Sequence, residues 1–483
     1  MLKAEAYLGI PMEILVTSLN ELVSGGQIIH NDGKLYLRDL YLAEVRVAEY
    51  ISQLYSARSP FAVTNVEAAI KWASQRCGLE LSVMQRNALG MALDSKVSII
   101  TGGPGVGKTT IIRVLCDIWT AKKAKISLVA PTGRAAKRMS ESTKLTAQTI
   151  HRLLKYNPQK DKFEYDASNK LQGDVFILDE SSMIDIVLAA DFLSAIPPHA
   201  VVVFVGDIDQ LPSVGPGNVL RDLIASSIVP CTKLDVIFRQ QRGGAIIQNA
   251  HNVNDGRPFE PQPADWHDTD FFYIKCTEPD RTVAMIRELV SNRIPMRFGV
   301  SPLEDIQVLT PMRKNTLGAE NLNSILQEAL NPHGPALQKL GHFYRIGDRV
   351  MQIRNNYDKD VFNGDIGFIN GVDIENNQLT VDFDGNIVSY DLIELDELMH
   401  AYATSIHKSQ GSEYPVVIVV LSKQHYVMLQ RNLLYTAITR GKKLVCVLGE
   451  PYAVSHAIKN FVVQNRRTSL RLRLVQAFNG KAY

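Results

Sequence analysis

The 483-residue chain has almost no net charge: 52 lysines and arginines stand against 50 aspartates and glutamates, a formal +2. A uniformly basic surface is therefore excluded, and any contact with a polyanion must be local. Cysteine is scarce as well. Cys77, Cys116, Cys231, Cys276 and Cys446 are odd in number and form no C-x-x-C pair, which argues against a disulfide framework or a cysteine zinc site and for a reducing cytoplasm. No apolar run approaches the ~20 residues of a membrane span, so no membrane role is expected. The opening residues MLKAEAYLGIPMEIL lack the basic stretch and clean apolar core of a signal peptide. The length calls for roughly two to four domains, because single cores stop growing at about 250–300 residues.

What is present is concentrated at 97–110, VSIITGGPGVGKTT. Val97 to Ile100 read as a buried parallel strand. Gly102, Gly103, Pro104, Gly105, Val106 and Gly107 follow, then Lys108, Thr109 and Thr110, which is the G-x-x-x-x-G-K-[ST] phosphate loop between a strand and a helix. Glycines let backbone N–H groups turn onto phosphates, and the helix N-terminus adds its positive dipole end. Lys108 supplies a cation for the β- and γ-phosphates, and the Thr109 hydroxyl ligates Mg²⁺. The chain is thus expected to bind ATP with Mg²⁺.

Further strands are expected at 126–130, 174–178 and 201–205, each ending in a polar cluster: PTGRAAKR at 131–138, DESSM at 179–183 and GDIDQLPSVGPG at 206–217. In open α/β sheets ligands bind beyond the carboxyl ends of strands, so these clusters can converge on one nucleotide. Asp179 fits a Mg²⁺-associated carboxylate, Glu180 can polarise the attacking water, and Gln210 is placed to sense the γ-phosphate. Gln85 lies on a helix just upstream of the phosphate-loop strand. Either it hydrogen-bonds adenine or it is a surface residue of that helix.

Residues 1–80 read as a small helical unit, winged-helix-like, with Leu15, Val16, Leu19, Leu22 and Val23 on one helical face and a hairpin around Asn31-Asp32-Gly33. DNA contact, packing and partner contact all remain open for it. The first α/β unit is expected over 81–235, with a projecting hairpin at 155–172. A second occupies 236–342 and 399–483, with strands at 306–310, 416–421 and 444–449. Short alternating segments with Gly and Asn turns at 343–398 suggest an inserted small β-barrel. The arginines of NRRTSLRLR (465–473) belong on a solvated helix face or on a phosphate.

In order, these motifs resemble those of superfamily 1B helicases, specifically the RecD-like DNA helicases, from about residue 81 onward. TGGPGVGKTT looks like motif I, APTGRAAKRM with TIHRLL (149–154) like motifs Ia and Ic, LDESSM like motif II and GDIDQLPSVGPG like motif III. FRQ (238–240) looks like motif IV, ATSIHKSQGSEYP (403–415) like motif V and LYTAITRGK (434–442) like motif VI, while VFNGDIGFI (361–369) resembles the start of an SH3-like barrel. The resemblance implies two RecA-like domains with parallel sheets, an inserted SH3-like barrel and a longer N-terminal region in other members.

It also implies roles. Lys108, Thr109 and Asp179 would hold phosphates and Mg²⁺, with Glu180 as general base and Gln210 linking the γ-phosphate to DNA. Arg239 and Arg440 would be arginine fingers. Phe238 would stack on adenine and Glu413 bind ribose. Pro131, Thr132, His151, Asn363, Thr404 and His407 would contact single-stranded DNA, and the hairpin would split duplex at a single-strand/duplex junction. Lys408 stays open between DNA contact and packing. The implied activity is ATP-dependent 5′-to-3′ translocation and unwinding in recombination or repair. A motor subunit acting with recombination or single-strand-binding proteins, and a DNA-stimulated ATPase that remodels protein–DNA complexes, are the alternatives.

Overall fold

The computed structural model describes residues 2–57, 63–234, 244–261, 269–461 and 466–479. Its framework is two parallel sheets. The first has six strands in the order Cys231–Leu234, Val97–Gly102, Val201–Gly206, Val175–Leu178, Ile126–Ala130, Ala147–Thr149. The inner strands Val97–Gly102, Val175–Leu178 and Val201–Gly206 are buried along their whole length, as their unbroken apolar runs require of strands covered on both faces. The two edge strands Ala147–Thr149 and Cys231–Leu234 carry no such run and were not expected.

Each face of this sheet has its own core. One is built around helix Lys108–Ala121, whose Ile111, Ile112, Leu115 and Trp119 pack with Leu89 and Ile177. The other collects helices from three distant parts of the chain: Arg38–Ser56, Ile186–Ala195 and Leu470–Asn479, meeting through Val47, Ile51, Phe192 and Leu474.

The second sheet is also parallel, in the order Phe271–Lys275, Gly441–Gly449, Tyr414–Leu421, Ile306–Thr310, Ala403–Ser405. Between Ile306–Thr310 and Ala403–Ser405 the chain leaves to form an antiparallel five-stranded sheet, Asn386–Asp391, Gln378–Phe383, Ile366–Asp373, Arg349–Gln352, Leu398–His400, where the small barrel was expected. Asp348 roots this insert. It is fully buried and accepts from Gln327 Nε2, Asn331 Nδ2 (2.7 Å) and Tyr402 Oη (2.7 Å), with His400 Nε2 at 3.3 Å.

Helix Met12–Ser24 forms with its apolar stripe in place, and none of its residues is buried. One expectation needs correction. The arginine-bearing tail is not a solvated face throughout. Arg473 Nε pairs with the buried Glu44 at 3.1 Å, and Arg466 is engaged by the loop 213–217, because the segment returns to the first sheet rather than trailing from the second. Arg467 and Arg471 do face outward.

The projecting hairpin is short, pairing Tyr156 with Phe163 and Asn157 with Lys162. Its root is aromatic. His151, Tyr156 and Phe163 lie within 5.3–5.9 Å of one another, ring centre to ring centre, and Tyr156 meets Tyr357 of the inserted unit at 5.9 Å.

Candidate functional site

The polar ends of the first sheet face the second sheet, and the candidate site lies between them. The loop after Val97–Gly102 turns through Gly105 (φ 74°) and Gly107 (φ 86°), a region closed to most side chains. A Cβ at Gly107 would stand 2.3 Å from Gln85 Nε2. Gln85 is therefore not a surface residue. Its Nε2 donates to Val106 O at 3.1 Å and its Oε1 accepts from Ser82 N at 3.1 Å, so it caps its own helix and braces the loop. Lys108 Nζ folds back to donate to Gly102 O (2.5 Å) and Gly103 O (2.9 Å).

Asp179 and Glu180 follow the buried strand Val175–Leu178 and are both buried. Glu180 sits at φ 51°, a left-handed conformation that costs a non-glycine residue and recurs at functional sites. Burial, then Glu180, pushes the Asp179 carboxyl up. For Glu180 burial also raises, but Arg138, Arg440 and Lys108 outweigh it and hold the carboxyl below its usual range. The two neighbours are thus tuned in opposite directions.

Arg440 reaches this cluster from the second sheet, donating from Nη2 to Gln210 Oε1 at 2.9 Å and from Nη1 to Ser412 O at 3.1 Å. Gln210 passes the contact on, its Nε2 donating to Asp207 Oδ2 at 3.1 Å, where Tyr435 Oη also donates at 2.9 Å. Burial raises Asp207, and nearby Lys108 opposes it. Leu211 N donates to Thr436 Oγ1 and Gln410 Nε2 to Leu211 O, both at 2.9 Å. The motif III backbone is therefore held by the second sheet's elements.

The structure brings together Lys108, Thr109, Asp179, Glu180, Gln210 and Arg440 around one cleft. Glu413 joins it through a cation: Arg138 places Nη2 2.9 Å from Glu180 Oε1 and Nη1 2.8 Å from Glu413 Oε1, with Lys442 3.2 Å from Glu413 Oε2. Phe238 and Arg239 lie outside the described residues.

Of the expected DNA contacts, Thr132 caps helix Gly133–Thr143 by accepting from Ala135 N, with Pro131 beside it at the strand end. His151 lies at the hairpin root and His407 in the motif V turn, both half-buried, and burial lowers the pKa of each. Asn363 is exposed, with Lys408 Nζ 3.4 Å from its Oδ1. Thr404 is fully buried with no hydrogen-bond partner for its Oγ1, so its side chain does not line an open surface.

Sequence reasoning missed Arg138, Asp207, Tyr435 and His251. Asp207 stood one residue past a buried strand in GDIDQ, the same signal that marked Asp179. Tyr435 and His251 had no such flag: a Cβ on Gly103 would lie 2.9 Å from Tyr435 Oη and 3.7 Å from His251 Cε1.

A phosphate loop, an acidic pair and an arginine joined to the buried Gln210 across two parallel sheets define a P-loop NTPase fold of the two-RecA-domain type. Family models agree: an AAA domain matches residues 85–216, an ATP-dependent RecD-like DNA helicase SH3 domain matches 322–383, and a UvrD-like helicase C-terminal domain matches 400–448. The RecBCD enzyme subunit RecD of Mycolicibacterium smegmatis is 31% identical, over 91% of this chain and 82% of that protein. The ATP-dependent RecD2 DNA helicase of Deinococcus radiodurans is 37% identical over 85% of this chain, which spans 54% of that protein's length. Among solved structures, one of Pif1 helicases on forked duplex DNA is 20% identical with a TM-score of 0.48, covering 76% of this chain and 92% of that one. The chain belongs to the RecD-like helicase family.

Proposed function

We propose that the chain is an ATP-dependent DNA helicase that translocates 5′ to 3′ on single-stranded DNA and unwinds duplex, in recombination or repair. The observation that carries the reading is the contact path across the cleft, Arg440–Gln210–Asp207–Tyr435, which ties the second sheet to the nucleotide side of the first.

The residues present fit Mg²⁺-bound ATP. The loop's left-handed turns at Gly105 and Gly107 leave no room for a Cβ, which would stand 2.9 Å from Ile247 Cδ1 and 2.3 Å from Gln85 Nε2, and Asp179 and Thr109 offer the hard oxygen ligands Mg²⁺ takes. Lys108 exchanges its two carbonyl partners for phosphate oxygens. Glu180 orients and deprotonates the attacking water. Arg440, with Arg239, offsets charge building on the transferred phosphoryl group, a contribution worth roughly 10³–10⁵ in rate. Phe238 and Glu413 would take adenine and ribose.

The strand would run over Pro131, Thr132, His151, Asn363 and His407, held through its phosphates without sequence readout. Thr404 would serve through its backbone. The hairpin at 155–172 divides the duplex. Because Arg440 comes from across the cleft, hydrolysis requires the two sheets to close and product release lets them part.

A second reading is a motor subunit that works within a larger recombination enzyme, supported by the likeness to a protein named as a RecBCD subunit, 31% identical over 91% of this chain.

Strand displacement on partial duplexes with a 5′ or a 3′ tail tests both. Unwinding from the 5′ tail alone supports the first reading. Unwinding from the 3′ tail alone overturns the polarity. DNA-stimulated hydrolysis with neither duplex opened supports the partner-dependent reading.

A further inference from the structure

The segment that returns from the second sheet to the first ends in one arginine with an unusual set of partners. Arg466 Nη1 donates to Ser213 Oγ (3.1 Å), Gly217 O (2.7 Å) and Gly215 O, and Nη2 donates to Ser213 O at 2.5 Å. The guanidinium fork thus gathers three carbonyls and a hydroxyl of a single loop, a geometry that a lysine point charge cannot reproduce. That loop is the continuation of Gln210: only Leu211 and Pro212 separate the glutamine bound by Arg440 from Ser213.

The loop's other side is equally confined. A Cβ at Gly215 would stand 2.2 Å from Asp185 Oδ2, one at Gly217 2.8 Å from Ile186 Cβ, and Ile186 N donates to Pro216 O at 2.9 Å. Between these two walls Val214 projects outward, 85% exposed. Asp185, which walls the loop, also lies within electrostatic reach of His151 at the hairpin root. The loop therefore runs from the nucleotide cleft to the flank expected to carry the strand.

Arg466 is itself anchored away from the cleft. Thr468 Oγ1 donates to Glu44 Oε1 at 2.8 Å, Ser469 N donates to the same carboxylate, and Ser469 Oγ lies 2.5 Å from Tyr36 Oη. The arm thus ties the N-terminal unit to the loop.

We propose that Arg466 is a positioning residue for DNA-stimulated ATP hydrolysis: it holds the 213–217 loop against the first sheet so that a strand pressing on the loop's exposed edge shifts Gln210 instead of merely deforming the loop. Arg466 binds the loop and is not itself one of the residues placed in the nucleotide cleft. It acts by making the loop stiff enough to transmit. The inference rests on Gln210 being the γ-phosphate sensor of the proposed helicase.

The test uses the full chain and measures ATP turnover with and without saturating oligo(dT), the oligo(dT) concentration giving half-stimulation, and Tm. Arg466→Met keeps the apolar stem and removes the fork. Arg466→Lys keeps the charge. Arg473→Met loosens the same arm at its other end, where Arg473 pairs with Glu44. The expected result is a fall of about tenfold or more in the ratio of DNA-stimulated to DNA-free turnover for Arg466→Met, with half-stimulation within about threefold of the parent. Arg466→Lys should recover only part of the ratio, and Arg473→Met should lower Tm while keeping it.

A ratio unchanged in Arg466→Met overturns the proposal. So does an equal loss in Arg473→Met, which would assign the effect to arm packing. If the unmutated chain hydrolyses ATP without responding to DNA, the helicase reading itself fails, and that failure appears before any substitution is made.

Discussion

Arg440 and Gln210, 230 residues apart in sequence, are joined by a 2.9 Å hydrogen bond between Nη2 and Oε1. Neither is a free agent in the cleft, and their effects on turnover must be coupled. If Arg440 acts as the arginine finger proposed above, Arg440→Ala cuts kcat by about 10³ or more. Gln210→Ala should cost less, and the double variant should be within about threefold of Arg440→Ala alone, since groups acting as a unit are not additive. A steady-state double-mutant cycle checks this, and full additivity refutes the coupling.

Arg138 is a half-buried cation shared by two carboxylates, the buried Glu180 and the partly exposed Glu413. Replacing it with glutamine leaves both acids facing each other in the cleft. The expected cost is about 1–3 kcal/mol, the range for leaving one buried acceptor, Glu180, without its partner. Adding Glu413→Gln should restore part of the lost Tm, whereas Lys442→Gln should not. A calorimetric comparison of the three variants decides it.

The inserted antiparallel unit depends on Asp348, and Asp348→Ala would take a shared acceptor from Gln327, Asn331, Tyr402 and His400; Gln327, Asn331 and His400 keep backbone carbonyls, while Tyr402 Oη loses its acceptor. Each buried polar group left unsatisfied costs about 1–3 kcal/mol. Hydrogen exchange should accelerate across 349–400 while the strand Val97–Gly102 stays protected. Uniform acceleration across both regions would show that the insert is not an independent lever.

Asp222 is pushed up to about 6, mainly by burial, and its Oδ2 has no hydrogen-bond partner. The folded protein therefore binds this proton more tightly than the unfolded chain does. Its contribution to stability is greatest in acid and declines as pH rises from about 4 through 6. Asp222→Asn should add about 1–2 kcal/mol at pH 8 and nothing at pH 4, read as a Tm difference that vanishes on acidification. A pH-independent gain would assign the effect to something other than ionisation.

The hairpin tip is held at its root by the His151–Tyr156–Phe163 cluster and braced by Tyr357. Cutting back residues 157–162 should lower strand displacement by about tenfold or more while DNA-stimulated ATP turnover persists, because opening duplex needs a rigid wedge and translocation does not. Full-rate unwinding by the shortened protein would dismiss the hairpin as the wedge.

The sheets were readable because their inner strands are covered on both faces and spell it out in unbroken runs such as VVVFV and VVIVV. The phosphate loop and Asp179 were readable because each follows such a run at once, and Gln210 because it stands in the polar cluster after one. Arg138 and Arg466 were not. Both act on residues far along the chain, and an arginine within GRAAKRM or NRRTSL carries no local mark of which partner folding will give it. Gln85 was ambiguous for the same reason, since only the docked loop shows that its helix position is buried. The apolar stripe of Met12–Ser24 predicted the helix, whose residues are all at least partly exposed, because periodicity reports an amphipathic surface and not what covers it.

Glu44 accepts the backbone N–H of Ser469, a contact spanning 425 residues. A chain made from its N-terminus must complete both sheets and the insert before this partner exists. Until then the outer face of the first sheet lacks helix Leu470–Asn479, and Leu470 and Leu474 are missing from its core. The contact therefore sets an order of events during synthesis: the module with the phosphate loop is begun first and finished last. A nascent chain halted before residue 469 would present an uncovered apolar face to chaperones, however well its second sheet had already folded.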